Sequence, residues 1–217
     1  MIITGKHSTI KIFTNNVDET TQKQILDLAN FEPFKDSKIR VMPDCHAGVG
    51  CVVGTTMTII DKISPSSVGV DIGCGMLAVP IKLDFFDDLK EFFKALDVFI
   101  TKNIPFGFNV NNEVSRFVDN TYWIQRLKEL VCYPDINNER AILSLSSLGG
   151  GNHFIEIDKS ERDSIYYLVI HSGSRHLGVQ VAKYYRDIAN KICEESGGDL
   201  NYIEGENLKN YLHDMEI

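Results

Sequence analysis

The stretch GVDIGCGM, residues 69–76, lies between two runs of strand-like composition. Glycine tolerates positive φ, so a turn of this composition can direct Asp71 and Cys74 toward one point. A carboxylate oxygen and a thiolate sulfur form a mixed hard and soft ligand pair for a metal ion. The alternative is a tight turn around a buried, inert cysteine. The spacing alone leaves both interpretations open.

Strand-like and helical patterns occur on both sides of that turn, which predicts a chain of mixed α and β structure. Composition predicts strands over 8–14, 39–42, 52–60, 76–83, 154–157 and 166–170. Apolar spacing predicts helices over 18–31, 85–100, 121–132 and 177–195, the last ending at Gly197-Gly198, and Asn-rich residues 105–120 predict a loop. The order of the strands cannot be read from these patterns.

The C-terminal segment 207–217 has helical propensity but no stop signal. Leu208, Tyr211, Leu212 and Met215 are spaced as one apolar face. Two interpretations are open, a terminal helix that frays or a chain cut inside a helix, and we expect the second. Such a cut would expose Leu208, Leu212 and Met215 and favour self-association.

Composition limits the function classes. The chain has 217 residues, 43% hydrophobic and 24% charged, with a net charge of −8, which excludes disorder and coiled coil over its whole length. A protein that coats nucleic acid by charge alone is usually basic, so an RNA-handling function would grip ends or short stretches locally. Five scattered cysteines imply no complete disulfide framework, and no apolar run could span a membrane. We therefore expect a cytoplasmic protein.

Three further segments combine glycines with ligand-type side chains. GGGNHF, residues 149–154, offers a row of backbone N–H groups, the amide of Asn152 and the imidazole of His153. HSGSRHLG, residues 171–178, follows an apolar strand and opens a helix, where Arg175 could grip a phosphate. PDCHAGVG, residues 43–50, repeats this style with Asp44 and His46.

Simpler interpretations apply to each segment. The glycine run is neither a GxGxxG nor a Walker motif, and a lone histidine is more often structural. Ser172 could be a nucleophile beside His171, but no GxSxG elbow is present and an N-cap role suits it equally. A structural zinc site at Cys45 and Cys51 lacks its second cysteine pair. Together the segments indicate metal-dependent phosphate chemistry, at one or two ions.

In order and in sequence, the four motifs closely resemble those of the RtcB family of RNA ligases, over nearly the whole chain. The resemblance implies an enzyme that joins a 2′,3′-cyclic phosphate or 3′-phosphate RNA end to a 5′-hydroxyl end, in RNA repair or tRNA splicing. It implies GTP and two Mn²⁺ ions as cofactors, with a histidine that carries GMP as the covalent intermediate.

The resemblance also implies an α+β fold, with mixed sheets and flanking helices, and roles for individual residues. Asp71, Cys74 and His153 would bind one Mn²⁺, and Cys74 and His171 the second, with the thiolate bridging. Asn152 would contact the guanylate phosphate, and Arg175 would be a phosphate contact. Asp44 and His46 would lie near the site.

Family members are considerably longer than this chain. Their C-terminal part supplies a third histidine for the second metal, the histidine that accepts GMP and much of the guanine pocket. We therefore expect residues 1–217 to be the N-terminal part of one catalytic domain, truncated at its C-terminus and inactive alone. The expected partners are RNA ends, GTP, an activating protein of the archease type or the missing C-terminal segment, and no membrane.

Two other functions remain open at this point. A shortened paralogue could bind metal and RNA ends without ligating them. A metal-dependent cyclic phosphodiesterase could open cyclic phosphate ends with metal-bound water and without GTP.

Overall fold

The computed structural model describes residues 1–84, 86–193 and 200–217. The chain forms two compact units. The first comprises Met1–Val70 and Val181–Glu216, and the second comprises Asp71–Gln180 with Ile217. Helices and sheets occur in both units, so the predicted α+β class is confirmed. The single domain expected over 1–217 stays a prediction. Within the described ranges, no helix is long and apolar enough to cross a bilayer.

A four-stranded sheet organises the first unit, in the order β1-β2-β3-β4. Strand β2 pairs parallel with β3, and the other two pairings are antiparallel. The strands are β1 (Ile2–Thr4), β2 (Thr9–Ile12), β3 (Ile39–His46) and β4 (Val53–Met57). The three predicted strands here are confirmed, whereas β1 was not predicted.

Helix α1 (Glu19–Ala29) packs with this sheet. It begins where Asp18 caps it, because the Asp18 carboxylate accepts a hydrogen bond from the amide of Thr21. The inner face of the sheet, the buried face of α1 and two adjoining residues, Phe34 and Val52, form a hydrophobic core. Its sheet and helix members are Ile10, Ile12, Ile25, Leu28, Ala29, Ile39 and Val41. Burying each large side chain of this kind contributes roughly 1.5–3 kcal/mol.

The C-terminal segment of the first unit is helical, as predicted. Helix α7 (Gly205–Glu216) follows β9 (Ile203–Glu204), which pairs antiparallel with β5 (Lys62–Ile63), and helix α2 (Pro65–Val68) follows β5. Leu208 and Tyr211 are buried, but the third buried position of α7 is Asp214. The predicted apolar face is therefore wrong at Leu212, which is 37% exposed.

A buried carboxylate explains the difference. The Tyr185 hydroxyl donates a 2.8 Å hydrogen bond to Asp214 Oδ2. This partner allows a polar side chain to occupy a buried position of α7, where a hydropathy pattern predicts an apolar one. Burial also raises the pKa of Tyr211 to about 12. The expectation that Leu208 is exposed is wrong, since it is buried.

The second unit is built on a three-stranded antiparallel sheet with β8 in the centre, in the order β6-β8-β7. The strands are β6 (Gly75–Ile81), β7 (Phe154–Lys159) and β8 (Tyr166–Ser172). All three were predicted, with ends that differ by one to two residues. The helices are α3 (Leu89–Asn103), α4 (Asn120–Leu127) and α5 (Asn138–Leu143), and α5 was not predicted.

Two predicted helices begin or end at other residues. Asp88 caps α3 by accepting from the amides of Lys90 and Glu91, and the predicted first residue, Phe85, lies outside the described residues. The predicted helix 121–132 ends at Leu127 and is followed by a 3-10 turn, Tyr133–Asp135. Cys132, just before that turn, is fully buried.

Helix α6 (Arg175–Ile192) follows β8 after two residues. It confirms the helix predicted over 177–195 as far as the structure describes it. Glu195 and the predicted stop at Gly197-Gly198 lie outside the described residues. Residues 105–119 contain no helix or strand, as predicted.

Candidate metal centre

The register of the second-unit sheet brings three metal-ligand side chains to one end. His171 lies near the end of the central strand β8, where it pairs with Met76 of β6 and Phe154 of β7. Cys74 and His153 are the residues immediately before β6 and β7. Because both outer strands run antiparallel to β8, their first residues lie beside its last ones.

The donor atoms of these side chains are close together. Cys74 Sγ lies 2.9 Å from His171 Nε2, and one donor atom each from Cys74, His153 and His171 lie within 4.8 Å of one another. Two ligands of one ion lie roughly 3–4 Å apart, given metal–ligand distances near 2.0–2.3 Å. The spacing therefore fits a shared cation.

Asp71 reaches the same cluster from the glycine turn. Its Oδ2 lies 2.8 Å from His153 Nε2, and the Cys74 amide donates a 3.3 Å hydrogen bond to the Asp71 carbonyl. Gly69 and Gly73, on either side, have φ of +94° and +74°. The predicted turn is confirmed, and it directs both side chains toward the cluster.

His153 is not satisfied as an ordinary structural histidine would be. Its side chain is 6% exposed, yet its buried Nδ1 has no hydrogen-bond partner among the described residues. Buried polar atoms in cores are nearly always paired. Together with the sulfur and carboxylate donors, this fits a ligand set completed by a cation better than a packed core.

Cys74 is exposed, so the alternative of a buried, inert cysteine is wrong. A hydrogen bond with Asp71 is the main cause that raises the pKa of the Cys74 thiol, and burial and the Asp71 charge add to it. A cation bound here would lower the pKa of this thiol, because metal binding to a thiol releases its proton.

Two glycines leave space that the cluster occupies. A Cβ on Gly173 would lie 2.2 Å from Asp71 Oδ1. A Cβ on Gly149 would lie 2.3 Å from both His153 Nδ1 and Arg175 Nη1. Any side chain at either position would displace a ligand residue.

Arg175 lies beside the cluster at the first position of α6. Its Nε donates to Ser147 Oγ at 3.0 Å and its Nη2 to the Gly107 carbonyl at 2.9 Å. Its φ is +57°, in the left-handed region that non-glycine residues rarely adopt. Burial lowers the pKa of the guanidinium, while the charge of Asp71 opposes that effect. Two of its nitrogens thus hold the surrounding loops.

Comparisons with known proteins identify the family of the chain. A family model described as RtcB, tRNA-splicing ligase RtcB, matches residues 24–217. The chain belongs to the RtcB family. The RNA-splicing ligase RtcB of Escherichia coli strain K12 is 31% identical over 214 residues, covering 90% of this chain and 50% of that protein.

Archaeal relatives give a similar result. The tRNA-splicing ligase RtcB of Thermococcus kodakarensis is 31% identical over 200 residues, which is 72% of this chain and 41% of that protein. The corresponding protein of Methanococcus maripaludis is 28% identical over 228 residues, 83% of this chain and 46% of that protein. The chain spans about half the length of these relatives.

Of the RtcB ligand residues predicted from sequence, Asp71, Cys74, His153 and His171 meet at one place. Asn152 is exposed next to His153, and its contact with a guanylate phosphate stays a prediction. The phosphate role of Arg175 also stays a prediction.

Asp44 and His46 belong to β3 in the first unit. Both are exposed, and His46 Nδ1 lies 3.0 Å from the Asp44 carbonyl oxygen. Their expected place near the RtcB metal centre stays a prediction. Ser172 Oγ donates to the Leu148 carbonyl at 2.7 Å, so this hydroxyl holds the glycine run rather than facing His171 as a nucleophile would.

Sequence reasoning missed Arg140 of helix α5. Its Nη2 donates to the Phe108 carbonyl, and its charge lies near enough to lower the pKa values of Arg175 and His176, in each case after the larger effect of burial. No motif marks this arginine. The only signal in the sequence is a basic residue shortly before the glycine run.

Proposed function

We propose that this chain carries the metal centre of an RNA ligase that joins 2′,3′-cyclic phosphate or 3′-phosphate ends to 5′-hydroxyl ends. The observation that carries the proposal is the convergence of Asp71, Cys74, His153 and His171 at one end of a sheet, in a chain whose relatives are named RNA-splicing ligases. The cofactors proposed are Mn²⁺ and GTP.

The donor set fits such a cation. Asp71, Cys74 and His153 would hold one Mn²⁺, and Cys74 with His171 would share in a second. A divalent cation held there would neutralise phosphate oxygens and orient the reacting ends. Asp71 Oδ2 lies 2.8 Å from His153 Nε2, so these two proposed ligands are held beside each other.

Other residues of the chain would orient the phosphates. Arg175 places a cation beside His153, and its backbone and side-chain contacts keep the guanidinium from turning away. Asn152 would bind the phosphate of GMP from the adjacent exposed position. We propose that the histidine that accepts GMP lies in a part of the ligase outside these 217 residues, and that an archease-type protein activates the whole.

Manganese binding tests the centre. Isothermal titration calorimetry on the chain should show Mn²⁺ binding that Cys74→Ser and Asp71→Ala abolish. Matched controls are Cys51→Ser and Asp158→Ala, which make the same chemical changes outside the cluster. Unchanged Mn²⁺ affinity in Cys74→Ser and Asp71→Ala would show that the ligand assignment is wrong.

Intact-mass measurement after incubation with GTP and Mn²⁺ tests where the nucleophile lies. No GMP adduct is expected on this chain. An adduct would show that the acceptor histidine lies within these residues. If the chain opened a 2′,3′-cyclic phosphate end without GTP, the result would instead support a cyclic phosphodiesterase.

A further inference from the structure

The four-stranded sheet of the first unit has one buried face and one open face. Along β2 the burial alternates, so Ile10 and Ile12 point into the core while Thr9 and Lys11 are exposed. The same alternation on β3 buries Ile39 and Val41 and turns Arg40 outward. The open face therefore carries the polar residues of both strands.

Basic side chains gather on this open face and at its edge. A cleft there is lined by Lys6, His7, Lys35, Lys38 and Arg40, with no aspartate or glutamate among its described lining residues. Lys11 adjoins Arg40, because the register of β2 and β3 pairs the two positions. We call the five lysines and arginines of this group, Lys6, Lys11, Lys35, Lys38 and Arg40, the basic face.

This concentration runs against the composition of the chain, which has 22 basic and 30 acidic side chains. Among the described residues, Lys6, Lys11, Lys38 and Arg40 make no ion pair with a carboxylate. Only Lys35 is paired, with Glu32 at 2.8 Å, and Asp36 lies near it. The basic face is therefore a local excess of positive charge.

Lys11 and Arg40 occupy paired positions on the open face of β2 and β3. Arg40 Nη1 donates to the Ile39 carbonyl at 2.7 Å, which keeps its charge at the start of β3. A phosphodiester backbone carries a row of negative charges, so it is complementary to cations that lie along both strands.

An aromatic ring continues the same row. Phe13 follows β2, is 49% exposed, and has Lys11 Nζ 4.9 Å from its ring centre. Open sheet faces that combine cations with exposed aromatic rings bind single-stranded nucleic acid, since bases stack on the rings while phosphates meet the cations.

We propose that the basic face, with Phe13, binds the sugar-phosphate backbone of single-stranded RNA. The proposal rests on the proposed function for the identity of the polyanion as RNA. The basic face would bind the RNA strand itself, whatever the chemistry of the strand's end.

The test is fluorescence anisotropy of the full chain with a labelled oligouridylate that ends in a 3′-hydroxyl, in EDTA. Affinity should fall with salt. Lys11→Glu and Lys38→Glu should each weaken binding and reduce the slope of log K against log salt by about 0.7, the value for one lost contact to a single strand. Lys23→Glu on α1, an exposed lysine outside the basic face, is the control and should keep the full slope.

Lys11→Glu also separates binding from folding. It places a carboxylate opposite Arg40, so its thermal midpoint should be equal to or above that of the natural chain while RNA affinity falls. Equal losses in Lys23→Glu, or no salt-dependent RNA binding by the natural chain, would overturn the proposal. Binding to phosphatidylserine vesicles without binding to RNA, or a salt-sensitive dimer in size-exclusion chromatography that competes with RNA, would also overturn it.

The two proposals fail separately. Lys11→Glu and Lys38→Glu should leave Mn²⁺ affinity unchanged, because the ligands lie on another sheet. Loss of Mn²⁺ binding in the natural chain would contradict the ligase proposal and leave the RNA-backbone result standing. Mn²⁺ binding without salt-dependent RNA binding would contradict only the proposal for the basic face.

Discussion

The two sheets of this chain are built differently. The first-unit sheet buries a full aliphatic face, with Ile10, Ile12, Ile39 and Val41 each no more than 1% exposed. In the second-unit sheet, β6 is an edge strand with Met76 65% and Leu77 57% exposed. The first sheet packs one face into a hydrophobic core, whereas the second places a group of candidate ligands at its end. The lesson is that a fold can provide its core and its chemistry on separate sheets.

The largest effect is expected from a single methyl group at the metal centre. Gly173→Ala would force its Cβ to within 2.2 Å of Asp71 Oδ1, so the carboxylate must leave its place beside His153. We expect Mn²⁺ affinity to fall by at least the roughly 10- to 100-fold that loss of an outer partner causes, because Asp71 is a proposed ligand. Isothermal titration calorimetry measures this change in Mn²⁺ affinity.

Gly75→Ala is the matched control, because a Cβ there meets only the Gly73 carbonyl oxygen, at 3.9 Å. Equal affinities in Gly173→Ala and Gly75→Ala would show that the close approach at Gly173 does not position the ligands.

The next effect sharpens the contrast between the units. Mn²⁺ should stabilise the second-unit sheet because it binds the folded ligands, by about 2.7 kcal/mol at a hundred times its dissociation constant. Hydrogen exchange should therefore slow at residues 71–76, 153–154 and 171–173. Exchange in β1–β4 should stay the same. Uniform protection of both sheets would contradict a metal site confined to the second unit.

A pair of tyrosines tests how the first unit is held. Tyr185→Phe removes the donor to the buried Asp214 carboxylate and should lower the free energy of unfolding by about 1–3 kcal/mol. Tyr211→Phe removes a buried hydroxyl with no hydrogen-bond partner in the described part of the chain, so it should be neutral or slightly stabilising. Denaturant unfolding of both variants measures the difference, and equal losses would contradict it.

The smallest effect appears at alkaline pH. Burial raises the pKa of Tyr211 to about 12, above the ordinary value of 10.0, so the unfolded chain releases this proton first. The stabilisation from Tyr211 is therefore complete below pH 10 and is lost as pH rises toward about 12. Tyr211→Phe should flatten that part of the stability profile, as measured by unfolding at stepped pH. An unchanged profile would show that another group causes the decline.

Much of the site was predictable, because its residues are adjacent to glycines that shape the turns. Asp71 and Cys74 lie in a turn whose composition allows them to converge, although the spacing alone also fitted a buried, inert cysteine. The contact of Cys74 with His171 needed the register of β6 and β8, which no local pattern contains. The pairing of Asp71 with His153, 82 residues apart, is also absent from any local pattern, and only the resemblance to RtcB ligases predicted that they share an ion.

The fold was predictable where segments are long and periodic, as in α1, α6 and β8. Strands of two or three residues, such as β1 and β5, carry too little pattern to predict. The face of α7 was wrong at Leu212 because Asp214 is buried by a hydrogen bond with Tyr185. Hydropathy cannot anticipate a polar residue whose partner comes from another helix.

The close approaches at Gly149 and Gly173 have a consequence for anyone who surveys this chain by saturation mutagenesis. Neither glycine has a side chain to offer a metal, yet each lies against side chains of the candidate centre. Both positions should score as intolerant as the ligands themselves. A survey of that kind would therefore identify these glycines and the candidate ligands alike, and only a metal titration would distinguish the two groups.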